Sequence, residues 1–564
     1  MNVIQKLSAV EHLKIASDGL RGRLAEELAE GGIQVSEEAY NLLKFHGSYE
    51  QFDRDTATHR KQHGMEKEYQ FMLRVRMPGG LLTAAQYLGL DRLADDHTNH
   101  TIRITTRQGI QFHGILKGEL KPAIAAVNHT MLTTMSACGD VVRNVMASPT
   151  PVRNAKHARM EADARMLSEH LKPKSRAYYQ IFLDEAPNAE VDEEETLYGE
   201  TYLPRKFKIG ITSEDDNTID VLTNDLGVIA QFDGQVLRGY TIAVGGGLGM
   251  THNKPRTYPR LATPIAFVQP DELFRIVEAV IRLQRDHGDR GDRRRARLKY
   301  VVDDRGLDWI RETLAEYFGV PLVDPPALKL AVPDLLGWHE QGDGKFWLGV
   351  PVAAGRIADF PDGAGLRTAL RTIAQCIAPG FVLTPQQDVL LTDIAPGDRA
   401  KVETVLRRHK VVLAEDLSPM AQYALSCPAL PTCGLALTEA ERMHAEMVDG
   451  FDALLKKHGM ADRRISVRIT GCPNGCARTY AGDIGIVGRM PGFYALFVGG
   501  DFEGTRLNFK LLEKVPHEAV ISSFDPLFAV WASDGLAGEG FGDFCHRIGP
   551  QALLEIGAAP AGVA

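Results

Sequence analysis

The segments VRMPGG (residues 75–80) and IRITTRQGIQFHGI (102–115) have a counterpart in LGVPVAAGRI (348–357) and FVLTPQQDVLLTDI (381–394). In each pair, a strand that runs into a small-residue turn is followed by a helix-like segment and further strands. Similarity at a fixed spacing is the mark of an internal repeat, which has to be tested before single elements are assigned. The chain is therefore predicted to contain two related halves.

A second pair of strands supports this interpretation. FKIGIT at 207–212 and VRIT at 467–470 lie at a spacing close to that of the first two pairs. Strands interleaved with amphipathic helical segments are typical of sheets that carry helices on one face. We predict an α+β fold of two pseudo-repeated halves, each with mixed or antiparallel sheets and helices, around a shared centre.

Composition narrows the class of protein. Of 564 residues, 44% are hydrophobic and 24% charged, which is ordinary for a globular protein. The net charge of −9 has the wrong sign for a protein that coats nucleic acid. The sequence shows no apolar run of membrane-spanning length and no secretory leader at its start. We expect a cytoplasmic protein that binds neither membrane nor nucleic acid.

Four of the seven cysteines form two close pairs, Cys427-x5-Cys433 and Cys472-x3-Cys476. Four thiolates are what a [4Fe–4S] cluster requires, and the proline and glycine between them favour tight turns. Structural zinc sites usually have two to four residues within a cysteine pair, so these spacings suit zinc less well. Buried unligated thiols are the remaining alternative, and we expect that state for the isolated cysteines. The isolated cysteines are Cys138, Cys376 and Cys545.

Three predicted strands carry basic side chains on one face and apolar side chains on the other. Such a face is solvated or contacts an anion, and the lack of acids between these residues favours an anion. A glycine-rich stretch at 244–253 and an arginine-rich stretch at 285–300 are weaker candidates for the same anion. The basic residues are Arg74 and Arg76, Arg103 and Arg107, and Lys206 and Lys208.

The cysteine spacing, GCPNGC (471–476), TTRQGIQFHGI (105–115) and LPRKFK (203–208) together resemble the sulfite and nitrite reductase family, which uses sirohaem and a [4Fe–4S] cluster. The resemblance covers nearly the whole chain, to GEGFGDF at 538–544. It is greatest to the sulfite-reducing branch that takes electrons from a separate NADPH-linked flavoprotein subunit. One strand departs from the family pattern TRQTFQFHG, because Gly109 and Ile110 replace its central residues.

The resemblance implies a domain order for the repeat described above. Each half would consist of a ferredoxin-like repeat followed by a half domain that helps to hold sirohaem and the cluster. The expected boundaries are an N-terminal arm at 1–65, a first ferredoxin-like repeat at 66–150, a first half domain at 151–335, a second ferredoxin-like repeat at 336–420 and a second half domain with the cluster cysteines at 421–564.

The resemblance also implies roles for single residues. The four paired cysteines would ligate the cluster, and Cys476 would also ligate the sirohaem iron. Sulfite would be bound by Arg76, Arg143, Lys206 and Lys208, with the lysines as proton donors. Sirohaem carries eight carboxylates, which explains a dense set of cations. Its contacts would be Arg107, Gln111, His113 and Arg205, with Gly245–Gly247 and 293–299 as looser candidates; a satisfied core histidine is the alternative for His113.

The implied reaction is the six-electron reduction of sulfite to sulfide. No segment of the sequence is typical of a flavin or NADPH module, so the electrons would come from a partner, for which the resemblance implies the flavoprotein (alpha) subunit in a shared oligomer. Two alternatives stay open at this point. One is a ferredoxin-dependent sulfite or nitrite reductase, although Phe112-His113 favours sulfite. The other is a non-enzymatic metal-binding protein with a four-cysteine zinc site.

Overall fold

The computed structural model describes residues 7–186, 194–361 and 363–558. Within them the chain forms four five-stranded sheets with helices packed around them. Residues 1–6 and 559–564, which the predicted arm and last domain include, lie outside the described part. The sheets form two matching pairs, which confirms the predicted α+β fold of two pseudo-repeated halves.

The first matching pair of sheets exchanges edge strands between the halves. One sheet has the order β1-β2-β5-β4-β13, and the other has the order β11-β12-β15-β14-β3. Each therefore ends in a short strand donated by the opposite half, so neither sheet is complete alone. The strands are β1 (Ser48–Phe52), β2 (Tyr69–Arg74), β3 (Leu81–Leu82), β4 (Ile102–Ile104), β5 (Ile110–Ile115), β11 (Gly337–Glu340), β12 (Phe346–Val350), β13 (Arg356–Ile357), β14 (Gly380–Leu383) and β15 (Val389–Ile394).

The second pair of sheets has the same order and the same strand directions in both halves. In the first of these sheets, β6, β7 and β8 run parallel, β9 runs antiparallel to β8, and β10 runs antiparallel to β9. Strands β16 to β20 repeat this pattern. The strands are β6 (Met146–Ala147), β7 (Ile209–Ser213), β8 (Leu226–Asp233), β9 (Val236–Val244), β10 (Thr263–Val268), β16 (Leu425–Ser426), β17 (Val467–Thr470), β18 (Ile484–Met490), β19 (Phe493–Val498) and β20 (Phe509–Pro516).

Helices cover the sheets and connect the repeats. Amphipathic helices such as α9 and α12 bury an apolar stripe and leave the other face to water. The helices are α1 (Ala9–Ala16), α2 (Leu24–Ala29), α3 (Glu37–Leu43), α4 (Arg54–Gln62), α5 (Ala84–His97), α6 (Leu120–His129), α7 (Ala155–His170), α8 (Ala177–Phe182), α9 (Leu273–His287), α10 (Leu298–Arg305), α11 (Leu307–Phe318), α12 (Leu366–Cys376), α13 (Arg399–Arg408), α14 (His444–Lys457), α15 (Asp525–Asp534), α16 (Phe541–Ile548) and α17 (Pro550–Ala558).

The equivalent turns between β4 and β5 and between β14 and β15 show the repeat at atomic detail. Gln108 and Gln387 both have positive φ, at 53° and 73°. The Gln108 carboxamide accepts from the amide of Ala147 at the end of β6, and the Gln387 carboxamide accepts from that of Ser426 at the end of β16. The alignment of Thr106-Arg107-Gln108 with 385–387 therefore agrees with the structure.

Close approach of the two halves requires glycine at one equivalent position in each. A Cβ on Gly80 would lie 2.4 Å from the carbonyl oxygen of Leu383, and one on Gly355 would lie 2.3 Å from that of Ile104.

No helix in the described residues is long and apolar enough to cross a membrane.

Candidate functional site

The two cysteine pairs meet because they follow neighbouring parallel strands. Cys427 comes directly after β16, and Cys472 follows β17 by two residues. Parallel strands bring their carboxyl ends to one edge of a sheet. The amide of Cys427 donates to the carbonyl of Ile469 in β17 (3.1 Å), so the two loops are held side by side. Thr470 Oγ1 and the Gly471 amide both donate to Cys427 Sγ at 3.4 Å.

The four thiols lie close enough to influence one another. Burial, and then the neighbouring Cys476 thiol, raise the pKa of Cys427 to about 12 and also raise the pKa values of Cys433 and Cys472. Among the described residues, no three His, Cys, Asp or Glu side chains converge tightly enough to bind one metal ion. Four neighbouring thiols with raised pKa values suit a group that carries positive charge, which would stabilise their thiolates.

Contacts from the first half hold the Cys472–Cys476 loop in place. Thr106 Oγ1 donates to the Cys476 carbonyl (2.9 Å), and the Met250 amide donates to that of Pro473 (3.0 Å). Two residues beyond the loop, Arg478 forms a buried ion pair with Asp220 (3.0 Å). The thiols thus belong to the second half, but residues of the first half position their loop.

A cluster of cations from the first half faces this loop. Lys206 and Lys208 flank Phe207, whose amide and carbonyl pair with Val141 and Arg143. This pairing brings Arg143 and both lysines together just before β7. Neither lysine ammonium has a hydrogen bond or an ion pair with the described residues. The predicted sulfite ligands Arg143, Lys206 and Lys208 therefore lie together with Arg205, a predicted sirohaem contact, and we call these four residues the basic cluster.

Mutual repulsion perturbs the basic cluster. Burial and the guanidinium groups of Arg205, Arg143 and Arg297 lower the pKa of Lys206 to about 7, and the Cys476 thiol opposes this shift. Burial and the charge of Arg107 hold the pKa of Lys208 well below its usual range. A bound anion would relieve this repulsion, and ionisable groups with such shifted pKa values are typical of functional sites.

Arg107 lies beside the basic cluster, and His113 lies near Arg74 and Arg103. Arg107 Nη1 and Nη2 donate to Asn224 Oδ1 and to the Asn144 carbonyl, both at 2.7 Å, while its Nε is buried without a partner. Burial and the charges of Arg356, Arg103 and Arg74 hold the pKa of His113 well below its usual range. His113 is therefore a neutral ring, and its buried Nε2 has no partner.

Arg76 does not belong to the site, which corrects the sequence prediction. Its side chain is 2% exposed, and it donates to Ser168 Oγ (2.9 Å) and to the carbonyls of Ser168 (2.7 Å) and Val142 (3.4 Å). β2 ends at Arg74, so the alternation that placed both arginines on one charged face stops before Arg76. Arg76 anchors α7 instead of facing an anion.

Arg74, two residues before Arg76, is the arginine of this strand that stays a candidate for the site. It donates to Cys138 Sγ (3.0 Å) and lies over the ring of Tyr49, 5.9 Å from the centroid. When the Gln111 carboxamide oxygen faces it, Gln111 accepts from Arg74 Nη2 (2.5 Å) and Nε (3.2 Å). The predicted site residue Gln111 thus orients Arg74. The sequence shows both arginines on one face of the predicted strand. Only the point at which the strand ends distinguishes them, since Arg74 lies within β2 and Arg76 lies beyond it.

Arg103, the third basic strand position, is also structural. Its buried guanidinium pairs with Glu441 and donates to the Ser426 carbonyl (3.0 Å). The carboxylate that neutralises it lies over three hundred residues away in sequence, where the strand pattern could not show it. Arg103 therefore joins the two halves behind the cysteines.

The glycine-rich stretch provides space for cations. A Cβ on Gly247 would lie 2.6 Å from Arg297 Cζ, and Lys299 Nζ donates to the carbonyls of Gly247 and Gly249, both at 2.9 Å. Two of the amides proposed to face an anion are occupied, since Gly245 and Gly247 donate to backbone carbonyls. Within 293–299, Arg297 is neutralised by Asp225 (2.7 Å).

Comparisons with known proteins match this arrangement. The family model described as the nitrite and sulphite reductase 4Fe-4S domain matches residues 162–322 and 423–559. A second model, the nitrite/sulfite reductase ferredoxin-like half domain, matches residues 63–129. The chain belongs to the nitrite and sulphite reductase family. The family's 4Fe-4S domain therefore includes the loops on which the four thiols lie.

Individual relatives extend the match over nearly the full length. The chain is 44% identical to the "Sulfite reductase [NADPH] hemoprotein beta-component" of Myxococcus xanthus, over 96% of this chain and 97% of that protein. It is 43% identical to the "Sulfite reductase [ferredoxin]" of Synechococcus elongatus, over 98% and 91%. The structure of the Mycobacterium tuberculosis NirA protein is 25% identical and superposes with a TM-score of 0.79 over 97% of this chain and 98% of that one.

Proposed function

We propose that this member of the nitrite and sulphite reductase family is the haemoprotein (beta) subunit of an assimilatory NADPH-dependent sulfite reductase. It would reduce sulfite to sulfide with six electrons from a separate flavoprotein (alpha) subunit. The observation that carries the proposal is the basic cluster, whose lysine ammonium groups have no hydrogen bond or ion pair with the described residues and which lies close to the Cys476 thiol. The cytoplasmic location expected from the sequence stays a prediction.

The residues present fit both cofactors of the family. Cys427, Cys433, Cys472 and Cys476 would hold the [4Fe–4S] cluster, since their two loops lie side by side after β16 and β17. Cys476 is exposed and faces Lys206, which suits a thiolate shared with sirohaem. Arg107, Arg205 and His113 offer positive charge or unpaired buried nitrogens to its carboxylates and ring. When bound, the two cofactors would carry electrons from the donor to sulfite and would supply the metal that binds it.

The chain's own residues supply charge and protons. Arg143 and Arg74 would bind the sulfite oxygens, since a planar guanidinium bonds two oxygens of an oxyanion at once. Lys206 and Lys208 would donate protons as each S–O bond breaks. A lysine whose pKa is near 7 is suited to this, because it carries a proton at neutral pH and yields it readily. Arg76 has no part in this proposal.

The first experiment measures cofactors and turnover together. Protein produced with a sirohaem supply is expected to show haem absorption bands, iron for both cofactors, and bands that move when sulfite is added to the reduced form. Sulfite and nitrite turnover are then compared with reduced flavoprotein and with reduced ferredoxin as donors. Faster sulfite turnover with the flavoprotein supports the proposal. A colourless zinc protein would contradict it.

A further inference from the structure

The N-terminal helix α1 buries two charged side chains beneath the basic cluster. The side chains of Glu11 and Lys14 are both fully excluded from solvent and form an ion pair of 2.5 Å. Lys14 Nζ also donates to the carbonyl of Leu203 (2.9 Å) and lies 3.8 Å from Asp140. A buried ammonium is costly unless it is paired and hydrogen-bonded. This lysine makes three contacts, and two of them lie outside its own helix.

The two outside contacts of Lys14 join the segments that carry the basic cluster. The amide of Leu203 donates to the Asp140 carbonyl (3.0 Å), which is where the two segments begin to run side by side. Beyond this point, the first segment leads to Arg143, and the second leads to Arg205 and Lys206. Lys14 therefore clamps the start of both segments with a single ammonium group.

Asp140 extends the clamp to the arginines. It pairs with Arg293 (2.8 Å) and lies 3.8 Å from Arg205. Glu11 pairs with Arg290 and lies 3.9 Å from Arg293. Glu11 and Asp140 thus each face guanidinium groups, and the Lys14 ammonium lies near both carboxylates. The charges of the arm orient the arginines without contacting the anion site themselves.

We propose that Lys14 and Glu11 are positioning residues for the basic cluster, so that the N-terminal arm supports the anion site from outside it. The proposal rests on the proposed function and extends it to residues outside the reacting centre. Loss of either residue should let the segments at 138–143 and 203–208 shift relative to each other. A shift of about 1 Å in such groups can cost up to about a hundredfold in rate.

The test compares Lys14→Met and Glu11→Gln with Glu30→Gln in the full-length holoenzyme. Met keeps the length of the lysine stem, and Gln keeps the shape of Glu. Glu30 forms an exposed ion pair with Arg23 (3.3 Å) on the same arm, so its loss controls for changes in charge. For each variant, the sirohaem content, the sulfite concentration that half-shifts the spectrum and the unfolding temperature are measured.

We expect Lys14→Met to raise the half-saturating sulfite concentration by roughly tenfold or more, with a smaller fall in turnover per sirohaem at saturating sulfite. Glu11→Gln should change it in the same direction, and Glu30→Gln should leave it within twofold. A Lys14→Met variant that folds and binds sulfite as the wild type does would overturn the proposal. Where Lys14→Met fails to fold, Glu11→Gln decides in the same way.

A second probe separates this proposal from the proposed function. Inorganic phosphate is an oxyanion that the basic cluster should bind whether or not the chain reduces sulfite, and binding to the folded state raises the unfolding temperature. If the wild type does not respond to sulfite, the proposed function fails. The positioning role is then decided by phosphate: a need for about tenfold more phosphate in Lys14→Met supports it, and equal phosphate dependence refutes it.

Discussion

Replacing Arg74 and Arg76 separately by methionine tests the reassignment of the charged strand. Arg76 has three neutral oxygen acceptors, and two of its bonds, at 2.7 and 2.9 Å, have ordinary length. Each buried acceptor left without a donor costs about 1–3 kcal/mol, so Arg76→Met should destabilise the protein by ~2–4 kcal/mol. Methionine also removes a guanidinium whose pKa burial lowers to about 10, which offsets part of that loss.

Arg74→Met should have little effect on stability but a large effect on the sulfite requirement. Its guanidinium is half-buried, so little stability is lost, but one charged hydrogen bond to a bound oxyanion is worth about 1.5–3 kcal/mol. At 1.4 kcal/mol for each factor of ten, the sulfite requirement should rise by roughly ten- to a hundredfold. The assays are the KM for sulfite under steady turnover and the midpoint of thermal unfolding followed by circular dichroism.

The crossed result decides the assignment. The reasoning holds if Arg76→Met lowers the unfolding midpoint while leaving the KM within twofold, and Arg74→Met does the reverse. A stable Arg76→Met protein with a strongly raised KM would return Arg76 to the site and refute the argument from its hydrogen bonds. Arg76→Lys serves as a second variant if Arg76→Met does not fold, since it keeps the charge but not the three donors' geometry.

Three further predictions address the thiols and the lysines. Cys476→Ser should lose the haem absorption bands. Cys376→Ser should keep them, at an isolated thiol that is exposed and not buried as the sequence predicted; equal spectra would contradict the shared thiolate. Thr470→Val removes a hydrogen bond to Cys427 Sγ and should lower the cluster reduction potential by about 20–60 mV in a potentiometric titration, and an unchanged potential would exclude that bond as a determinant. Turnover should fall as pH rises through the pKa of Lys206, because only the protonated ammonium can donate a proton. This pKa is about 7, and bound carboxylates would raise it. Lys206→Met should remove this fall in turnover at high pH, and a fall that persists would assign the proton to another group.

The repeat and the cysteines could be predicted because both are local patterns. Strand alternation, a glycine turn and the spacing within a cysteine pair each depend on fewer than twenty neighbouring residues. The exchange of β3 and β13 could not be predicted, because two-residue strands carry no periodicity. Local patterns also could not predict the structural role of Arg103. Its pairing with Glu441 depends on how the halves dock, and one strand shows only that a cation faces away from the core.

Arg76 shows a different limit. The alternation correctly placed it on the same side as Arg74 for an ideal strand, but the pairing of β2 ends at Arg74. Beyond this point the chain makes only an isolated bridge to Thr133, and the side chain turns towards α7. Two residues that are two positions apart on a strand point to the same face of the sheet but have different neighbours. Only the contacts in the structure therefore distinguish Arg74 from Arg76.

The repeat also explains why the site lies between the halves. Strands β7 and β17 are equivalent, so Lys208 corresponds to Ser466, and their amides donate to the equivalent carboxylates of Asp225 and Asp483 (2.9 and 2.8 Å). The backbone arrangement is the same in both halves, yet the ammonium group is present only in the first.

The thiols show the complementary asymmetry. Cys427 corresponds to Ser148, since their amides donate to the equivalent carbonyls of Ile469 and Ile211, both at 3.1 Å. In the first half the lysines therefore precede β7, and in the second half the thiols follow β16 and β17. Because each half holds only part of the chemistry, neither half could perform the proposed reaction alone, and the contacts that join them, such as Thr106 to the Cys476 carbonyl, are part of the site.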